Sequence, residues 1–317
     1  MGSAKGSFWI VSAALAALAI VVRAVGFESA LPDGQAVPSI GDGWYHLRRI
    51  VYDAARLPML LGFDPFVQFP EGARAAWPPL FDAVVAWMAL PIAGAVGPGL
   101  VGNALWAPAL IGALTVVCLY GLLQPRLGTA AALAAAALLA VLPAHVEVTR
   151  VGALSQRCAG GLVAVLALAA TLRLLESDLR SRWAAVATGL VLGLGILVST
   201  GGVLVAVAVQ LVLLLIVVSR ASVQNPVAIG HVLLVQVLAL LVLLPAAALR
   251  AGPEADLFTA PYPSRAHLAL FAVPCAIVLA WLPVWRYSPR RLQPPLMLGL
   301  AVLGVLAGWG LAPPVLA

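Results

Sequence analysis

The chain has 317 residues, of which 63% are hydrophobic and only 9% charged, with a mean hydropathy of +1.07. Soluble domains carry roughly 25% charged residues, so this composition excludes a soluble globular enzyme and describes a polytopic membrane protein. The net charge of +6 does not call for nucleic acid, because arginines in cytoplasmic loops that fix topology account for it.

Apolar runs lie near 8–26, 78–97, 101–123, 128–147, 158–175, 184–199, 202–219, 228–249, 266–285 and 295–312. No convincing small-residue cleavage site follows the first run, so it reads as a retained span, with Arg23 snorkelling from its outer end. If the run at 78–97 does not cross, Lys5, Arg126, Arg173, Arg180, Arg182, Arg220, Arg286, Arg290 and Arg291 share one side. Opposite them in short loops stand Arg150, Arg157, Arg250 and Arg265, a bias of nine to four. If that run crosses, the bias becomes five to eight, against the positive-inside rule. The run also opens with Trp77-Pro78-Pro79 and carries Asp82, which suits an interfacial or re-entrant helix.

The expected fold is therefore all-α, a polytopic membrane protein of about nine transmembrane helices with a cytoplasmic N-terminus. Residues 27–100 form a long first external loop with interfacial helices, and 101–317 the remaining spans of one transmembrane domain. Cys118, Cys158 and Cys275 lie in or beside apolar runs, without metal or redox spacing, and read as packing residues. Ser199-Thr200-Gly201-Gly202 reads as a tight turn between antiparallel helices.

Seven of the twelve Asp and Glu fall between the first apolar run and Asp82: Glu28, Asp33, Asp42, Asp53, Asp64, Glu71 and Asp82. The chemistry is expected in that loop. Trp44, Leu47, Val51 and Ala54 recur at helical spacing, with His46, Arg49 and Asp53 on another face. Asp42 then stands at the start of a helix, where two roles are open. Its carboxylate can cap backbone N–H groups, or it can bind Mg²⁺ or Mn²⁺ together with waters and a substrate phosphate. His46, one turn on, reads as a phosphate contact, a group supporting Asp42, or a solvated face residue. Arg48, Arg49 and Arg56 can bind lipid phosphates or simply touch headgroups. Phe69-Pro70-Glu71-Gly72 and Trp77-Pro78-Pro79 read as rigid loop punctuation.

The order Gly41-Asp42-Gly43-Trp44-Tyr45-His46-Leu47-Arg48, then Phe63-Asp64-Pro65, Phe69-Pro70-Glu71-Gly72 and Trp77-Pro78-Pro79-Leu80-Phe81-Asp82 resembles the first external loop of oligosaccharyltransferase catalytic subunits of the archaeal and bacterial single-subunit type. The resemblance implies a membrane glycosyltransferase that moves a glycan from a polyprenyl-(pyro)phosphate donor to Asn of a protein acceptor. It places the chain in a bacterial inner or archaeal plasma membrane. It also implies Asp42 as a metal-binding catalytic carboxylate with Mg²⁺ or Mn²⁺. The residues themselves add His46 and Arg48 or Arg49 as supporting phosphate contacts, with Arg157 as a further phosphate contact and Trp77 as a lipid contact.

The second family motif, Gly-x-x-Asp-x-His or Asp-x-Asp, falls at Gly152-Ala153-Leu154-Ser155-Gln156-Arg157. The glycine matches, but Ser155 and Arg157 replace the ligands, and a guanidinium has no lone pair to offer a metal. Arg157 can instead present a fixed positive charge to phosphate or to Asp42. His145 and Glu147 are the nearest substitute ligands, or else cap and anchor the end of their span. Family members continue beyond a ninth span into a further acidic loop and a soluble sequon-reading domain. This sequence is expected to lack that domain and to be a fragment or a divergent, inactive member. The alternative is a non-catalytic membrane subunit that binds lipid-linked glycan. A transporter is disfavoured because the spans carry no acidic residues except at loop borders. Glu254, Asp256, Tyr262 and His267 supply polar groups near the loop 250–265.

Overall fold

A computed structural model describes residues 2–30, 35–75, 77–94, 96–219, 226–248 and 264–287, with Leu296 and Gly299. Helices dominate, in the order α1 (Gly2–Ala24), α2 (Gly43–Arg56), α3 (Leu80–Ala93), α4 (Pro98–Val141), α5 (Pro143–Thr149), α6 (Arg157–Glu176), α7 (Arg182–Val198), α8 (Gly202–Ser219), α9 (Pro226–Ala248) and α10 (Arg265–Tyr287), plus a 3-10 turn at Phe27–Ala30. Among the described residues, four helices are long and apolar enough to cross a membrane by length and composition: Ser7–Ala24, Pro98–Val141, Arg157–Glu176 and Pro226–Ala248. The run at 295–312, apart from Leu296 and Gly299, and the residues Glu254, Asp256 and Tyr262 lie outside the described residues. The purely helical expectation needs one correction. Two short strands, β1 (Phe63–Asp64) and β2 (Ala73–Arg74), pair antiparallel, with Phe63 opposite Arg74 and Asp64 opposite Ala73.

The chain divides into two compact units, residues 1–165 and 166–317. In the first, α4 breaks at Gly128 (φ 81°, ψ 165°), so the apolar runs at 101–123 and 128–147 become two limbs of one element. Both limbs join α1 in one core, where Leu15 and Ala19 meet Ala113, Val116 and Tyr120 of the first limb and Ala132, Ala136 and Ala140 of the second. The last three alanines repeat every fourth residue, a smooth stripe that lets helices approach closely.

Arg23 does not snorkel. It is fully buried, with Nε donating to Thr149 Oγ1 at 2.8 Å and Nη1 to the carbonyls of Ala19 (2.9 Å) and Ala140 (3.1 Å). Nη2 donates to His145 Nδ1 at 2.6 Å, so Nδ1 must be the unprotonated ring nitrogen. Enough oxygen and nitrogen acceptors lie within reach that the guanidinium has no need of water. Through Nδ1 His145 helps clamp α1 to α4 and α5. Glu147 pairs with Arg150 at 3.2 Å on the surface. A Cβ at Gly112 would overlap Arg23 Nε and stand 2.8 Å from Thr149 Oγ1. Gly112→Ala should therefore cost about 1–3 kcal/mol by overpacking, read as a lower thermal midpoint in detergent, while Ala at the open Gly102 should not.

In the second unit, α7 packs on α9, and α8 and α10 pack alongside. Small residues allow the α7–α9 approach: a Cβ at Gly189 would come 2.7 Å from the Val235 carbonyl, and one at Gly193 2.8 Å from Val242 Cβ. Gln210 on α8 and Gln236 on α9, both buried, exchange amide hydrogen bonds of 2.6 and 2.8 Å. Such pairs join helices where apolar contact alone gives no preference over lipid. Ser181 caps α7 by accepting from Ala184 N. His267 Nδ1 accepts from Ser264 N at 3.0 Å at the start of α10, so it is a capping group.

Candidate functional site

The first loop folds around buried charges. α2 buries His46, Leu47, Arg49, Ile50, Asp53 and Ala54 and packs on α3 and α4. His46 Nδ1 donates to Asp82 Oδ1 at 2.8 Å, both side chains being wholly buried. Arg49 Nε lies 3.1 Å from Asp82 Oδ2, and its terminal nitrogens donate to the carbonyls of Trp77 (3.3 Å) and Pro78 (3.4 Å). The edge of the His46 ring stacks against Phe81 at 5.4 Å, and the Tyr45 ring faces Arg49 at 5.8 Å. One carboxylate on α3 thus balances one guanidinium and orients one imidazole on α2. His46 Nε2 is buried without a partner.

Arg48 is the surface counterpart. Its Nε and Nη2 donate to Asp64 at 2.7 and 3.0 Å, and it stacks on Phe66 at 4.4 Å. Asp64 Oδ1 also accepts from Phe66 N at 2.9 Å. Burial alone would raise the Asp64 carboxyl, but the Arg48 and Phe66 hydrogen bonds and the Arg48 charge hold it below the ordinary value. Arg48 therefore pins the β1–β2 hairpin, and Arg49 pins the Trp77-Pro78 segment. Both arginines, expected as phosphate contacts, are engaged by the loop itself. His46 is likewise bonded to Asp82 rather than to Asp42, and is not solvated. Trp77 is half-buried with its ring 6.3 Å from His46.

Asp53 is wholly buried. Oδ1 accepts from Leu61 N at 3.0 Å, and Oδ2 has no partner. Burial pushes the carboxyl up to about 6, opposed by the Leu61 N–H and the Arg49 charge and reinforced by Asp82. Because the folded value lies above the unfolded one, the native chain binds the extra proton between pH 4 and 6. Stability falls as pH rises through that window and stays lower above it. Asp53→Asn keeps the Leu61 acceptor without the charge. Thermal unfolding should show it more stable than wild type at pH 7.5 by about 2–3 kcal/mol, the difference closing below pH 4.

Asp42 occupies the N-cap position, its backbone carbonyl accepting from Tyr45 N and His46 N, but its side chain makes no cap hydrogen bond. Ser155 Oγ–H instead donates to Asp42 Oδ2 at 2.9 Å across 113 residues. The segment that delivers Ser155 is almost entirely buried. Val151 N bonds the Arg23 carbonyl, Gly152 N the Leu105 carbonyl, and Ser39 N the Gly152 carbonyl, at 2.8–3.0 Å. Gly152 has φ +84°, and a Cβ there would come 2.9 Å from Ala30 Cβ, which explains the glycine. Arg157 opens α6, exposed, with its N–H 3.5 Å from Ser155 Oγ. Its guanidinium makes no hydrogen bond or ion pair among the described residues.

The expected Mg²⁺ or Mn²⁺ does not fit the residues that face Asp42. Among the described residues no three His, Cys, Asp or Glu side chains converge as a metal site. Asp64 and Asp82 are held by arginines, Asp53 by a backbone N–H, and Asp42 accepts a hydroxyl hydrogen where a ligand would stand. Sequence reasoning missed the Asp42–Ser155 bond and the Arg49–Asp82–His46 cluster, for which motif spacing carries no signal.

Comparison with known proteins identifies the family. The family described as "Oligosaccharyl transferase STT3, N-terminal" matches residues 10–258. Over 110 residues the chain is 36% identical to the dolichyl-monophosphooligosaccharide–protein glycotransferase AglB of Haloferax volcanii, a stretch covering 34% of this chain and 10% of that protein. The fold matches the Archaeoglobus fulgidus oligosaccharyltransferase in its apo form, with TM-score 0.75, 20% identity, and coverage of 95% of this chain and 36% of that one. It also matches A. fulgidus AglB in complex with an inhibitory peptide and a dolichol-phosphate (TM-score 0.78, 21% identity, 98% and 38% coverage), and the A. fulgidus enzyme in complex with Zn and sulfate (0.77, 20%, 94% and 39%). The chain spans 36–39% of the length of these solved relatives. Because the family match takes in most of the sequence, the chain belongs to the oligosaccharyltransferase STT3 family, in the region of its N-terminal membrane part.

Proposed function

We propose that this chain handles a glycan carried on a polyprenyl-(pyro)phosphate, at the surface where its first external loop meets the segment before α6. In a complete enzyme this part would present the donor for transfer to Asn of a protein acceptor. The observation that carries the reading is the 2.9 Å bond between Asp42 and Ser155. It joins the two segments the family uses for its polar centre, although one ligand position has become serine. The A. fulgidus relative solved with dolichol-phosphate and peptide supports the donor class. The A. fulgidus relative with Zn supports a divalent metal in the family; in this chain Asp42 is the candidate ligand among the described residues.

The same reading places the N-terminus in the cytoplasm, the loop outside and about nine helices across the bilayer. α3 has 14 residues, about 21 Å, short of a core of roughly 30 Å. Its exposed Val84, Trp87, Met88 and Ile92 form an apolar stripe suited to lying in the interface. Cysteine labelling should find a thiol placed at Thr200 outside and one placed at Ser177 inside. The reverse pattern contradicts a non-crossing α3.

A second reading, a non-catalytic binder of lipid-linked glycan, is favoured by the same serine. The test is one preparation of the chain in liposomes, given a polyprenyl-diphosphate oligosaccharide and an Asn-containing sequon peptide, with donor binding and peptide glycosylation both measured. Saturable donor binding supports the proposal. Transfer that depends on Asp42 favours the enzyme, and binding that survives Asp42→Ala without transfer favours the binder. No saturable binding contradicts both.

A further inference from the structure

We infer that the polar centre of this chain holds its substrate's phosphate with the Arg157 guanidinium and without a divalent cation, an inference that rests on the donor-binding reading above. The carboxylate chemistry argues first. A hard cation such as Mg²⁺ is held by one or two carboxylates, with waters and substrate phosphate completing its octahedron, yet Asp42 Oδ2 already accepts the Ser155 hydroxyl at 2.9 Å and no second carboxylate joins it among the described residues. The loop's three fully buried carboxylates point their bonds elsewhere: Asp64 to Arg48, Asp82 to His46 and Arg49, Asp53 to Leu61 N.

The second argument is rigidity. Ser155 is 1% exposed, and the Gly152 segment behind it is tied to Arg23, Ser39 and Leu105 by backbone hydrogen bonds. The serine is therefore held against Asp42 by the fold and does not swing aside for an ion.

The third is charge. Arg157 lies two residues beyond Ser155 at the first position of the 20-residue α6, exposed and without a partner among the described residues. A guanidinium there repels a divalent cation by the same Coulomb force that attracts a phosphate. Its planar donors match phosphate oxygens two at a time, and the positive end of α6 adds to the attraction. Asp42, kept in place by Ser155, is then a positioning carboxylate for a sugar hydroxyl of the donor and not a metal ligand.

Two measurements on the purified full chain in nanodiscs test this. The first is Mn²⁺ titration followed by electron paramagnetic resonance, which is independent of any glycan chemistry. Wild type should show no stoichiometric site, whereas the double variant Ser155→Asp, Arg157→His, which places a carboxylate against Asp42 and an imidazole two residues on, should bind one Mn²⁺ and lose it on adding Asp42→Asn. One Mn²⁺ bound by wild type and lost in Asp42→Asn overturns the inference. A double variant that stays blank overturns the assignment of metal loss to these two positions.

The second is binding of a polyprenyl monophosphate with and without EDTA. Affinity should be indifferent to EDTA, fall roughly 10- to 100-fold in Arg157→Ala, the equivalent of one or two charge-assisted hydrogen bonds, and recover partly in Arg157→Lys. Loss of binding with EDTA, or an unchanged Arg157→Ala, overturns the role of Arg157. If wild type does not bind the polyprenyl phosphate at all while the Mn²⁺ results stand, the donor reading fails and the metal-free centre survives.

Discussion

Asp82→Ala is expected to lower the thermal midpoint of the purified chain by roughly 10 °C, the equivalent of about 3–5 kcal/mol. Asp82 forms an ion pair with Arg49 at 3.1 Å, and the two are at most 1% exposed, while Asp53 acts on Arg49 through charge without such a pair. Truncation leaves a buried guanidinium with two long bonds to the Trp77 and Pro78 carbonyls and the Tyr45 ring. It also leaves His46 with neither ring nitrogen partnered, since Nε2 already has none. Removing one member of a buried pair costs more than the pair is worth, because the remaining charge stays desolvated. Arg49→Met added to Asp82→Ala should therefore recover part of the loss, a coupling that a double-mutant cycle in a thermal melt reads directly. A loss for Asp82→Ala below about 1 kcal/mol would show the cluster to be open to water.

Gly152→Val is expected to cost about 3 kcal/mol and to weaken donor binding together with stability. A β-branched residue at φ +84° meets a left-handed penalty of about 1–2 kcal/mol. Its Cβ also meets Ala30 Cβ at 2.9 Å and Ser39 Oγ at 3.1 Å, an overpacking cost of about 1–3 kcal/mol. Relief requires the backbone at 151–154 to move, and that movement carries Ser155 away from Asp42. Gly152→Asn should be milder, because asparagine tolerates the left-handed region, though the overlap persists. The check is a paired melt and lipid-binding measurement. A variant that melts early yet binds polyprenyl phosphate like wild type would separate this loop from the site.

The helices were legible because spanning composition is coarse and strong. Runs predicted at 158–175, 202–219 and 228–249 meet helices at Arg157–Glu176, Gly202–Ser219 and Pro226–Ala248. Gly152 was legible too, its motif position coinciding with a positive φ. What stayed hidden is pairing across long separations. Nothing at His46 announces Asp82, 36 residues on, or at Asp42 announces Ser155, 113 residues on. Helical spacing states which face a residue takes but not what faces it. Arg23 shows the same limit, since snorkelling is the default only when no buried acceptor is near, and Thr149, His145 and Ala140 become neighbours through tertiary packing alone. The β1–β2 pairing was missed because strands of two residues have no periodicity to detect.

The central claim is that the loop around Asp42 and the segment around Ser155 together receive a lipid-linked glycan. Photo-crosslinking tests it most directly, using a polyprenyl-diphosphate oligosaccharide with a diazirine on the first sugar, followed by peptide mapping of the labelled chain. The predicted result is label confined to residues 39–49 and 150–160 and removed by excess unlabelled donor. Label spread over the apolar helices and indifferent to competitor would contradict the claim.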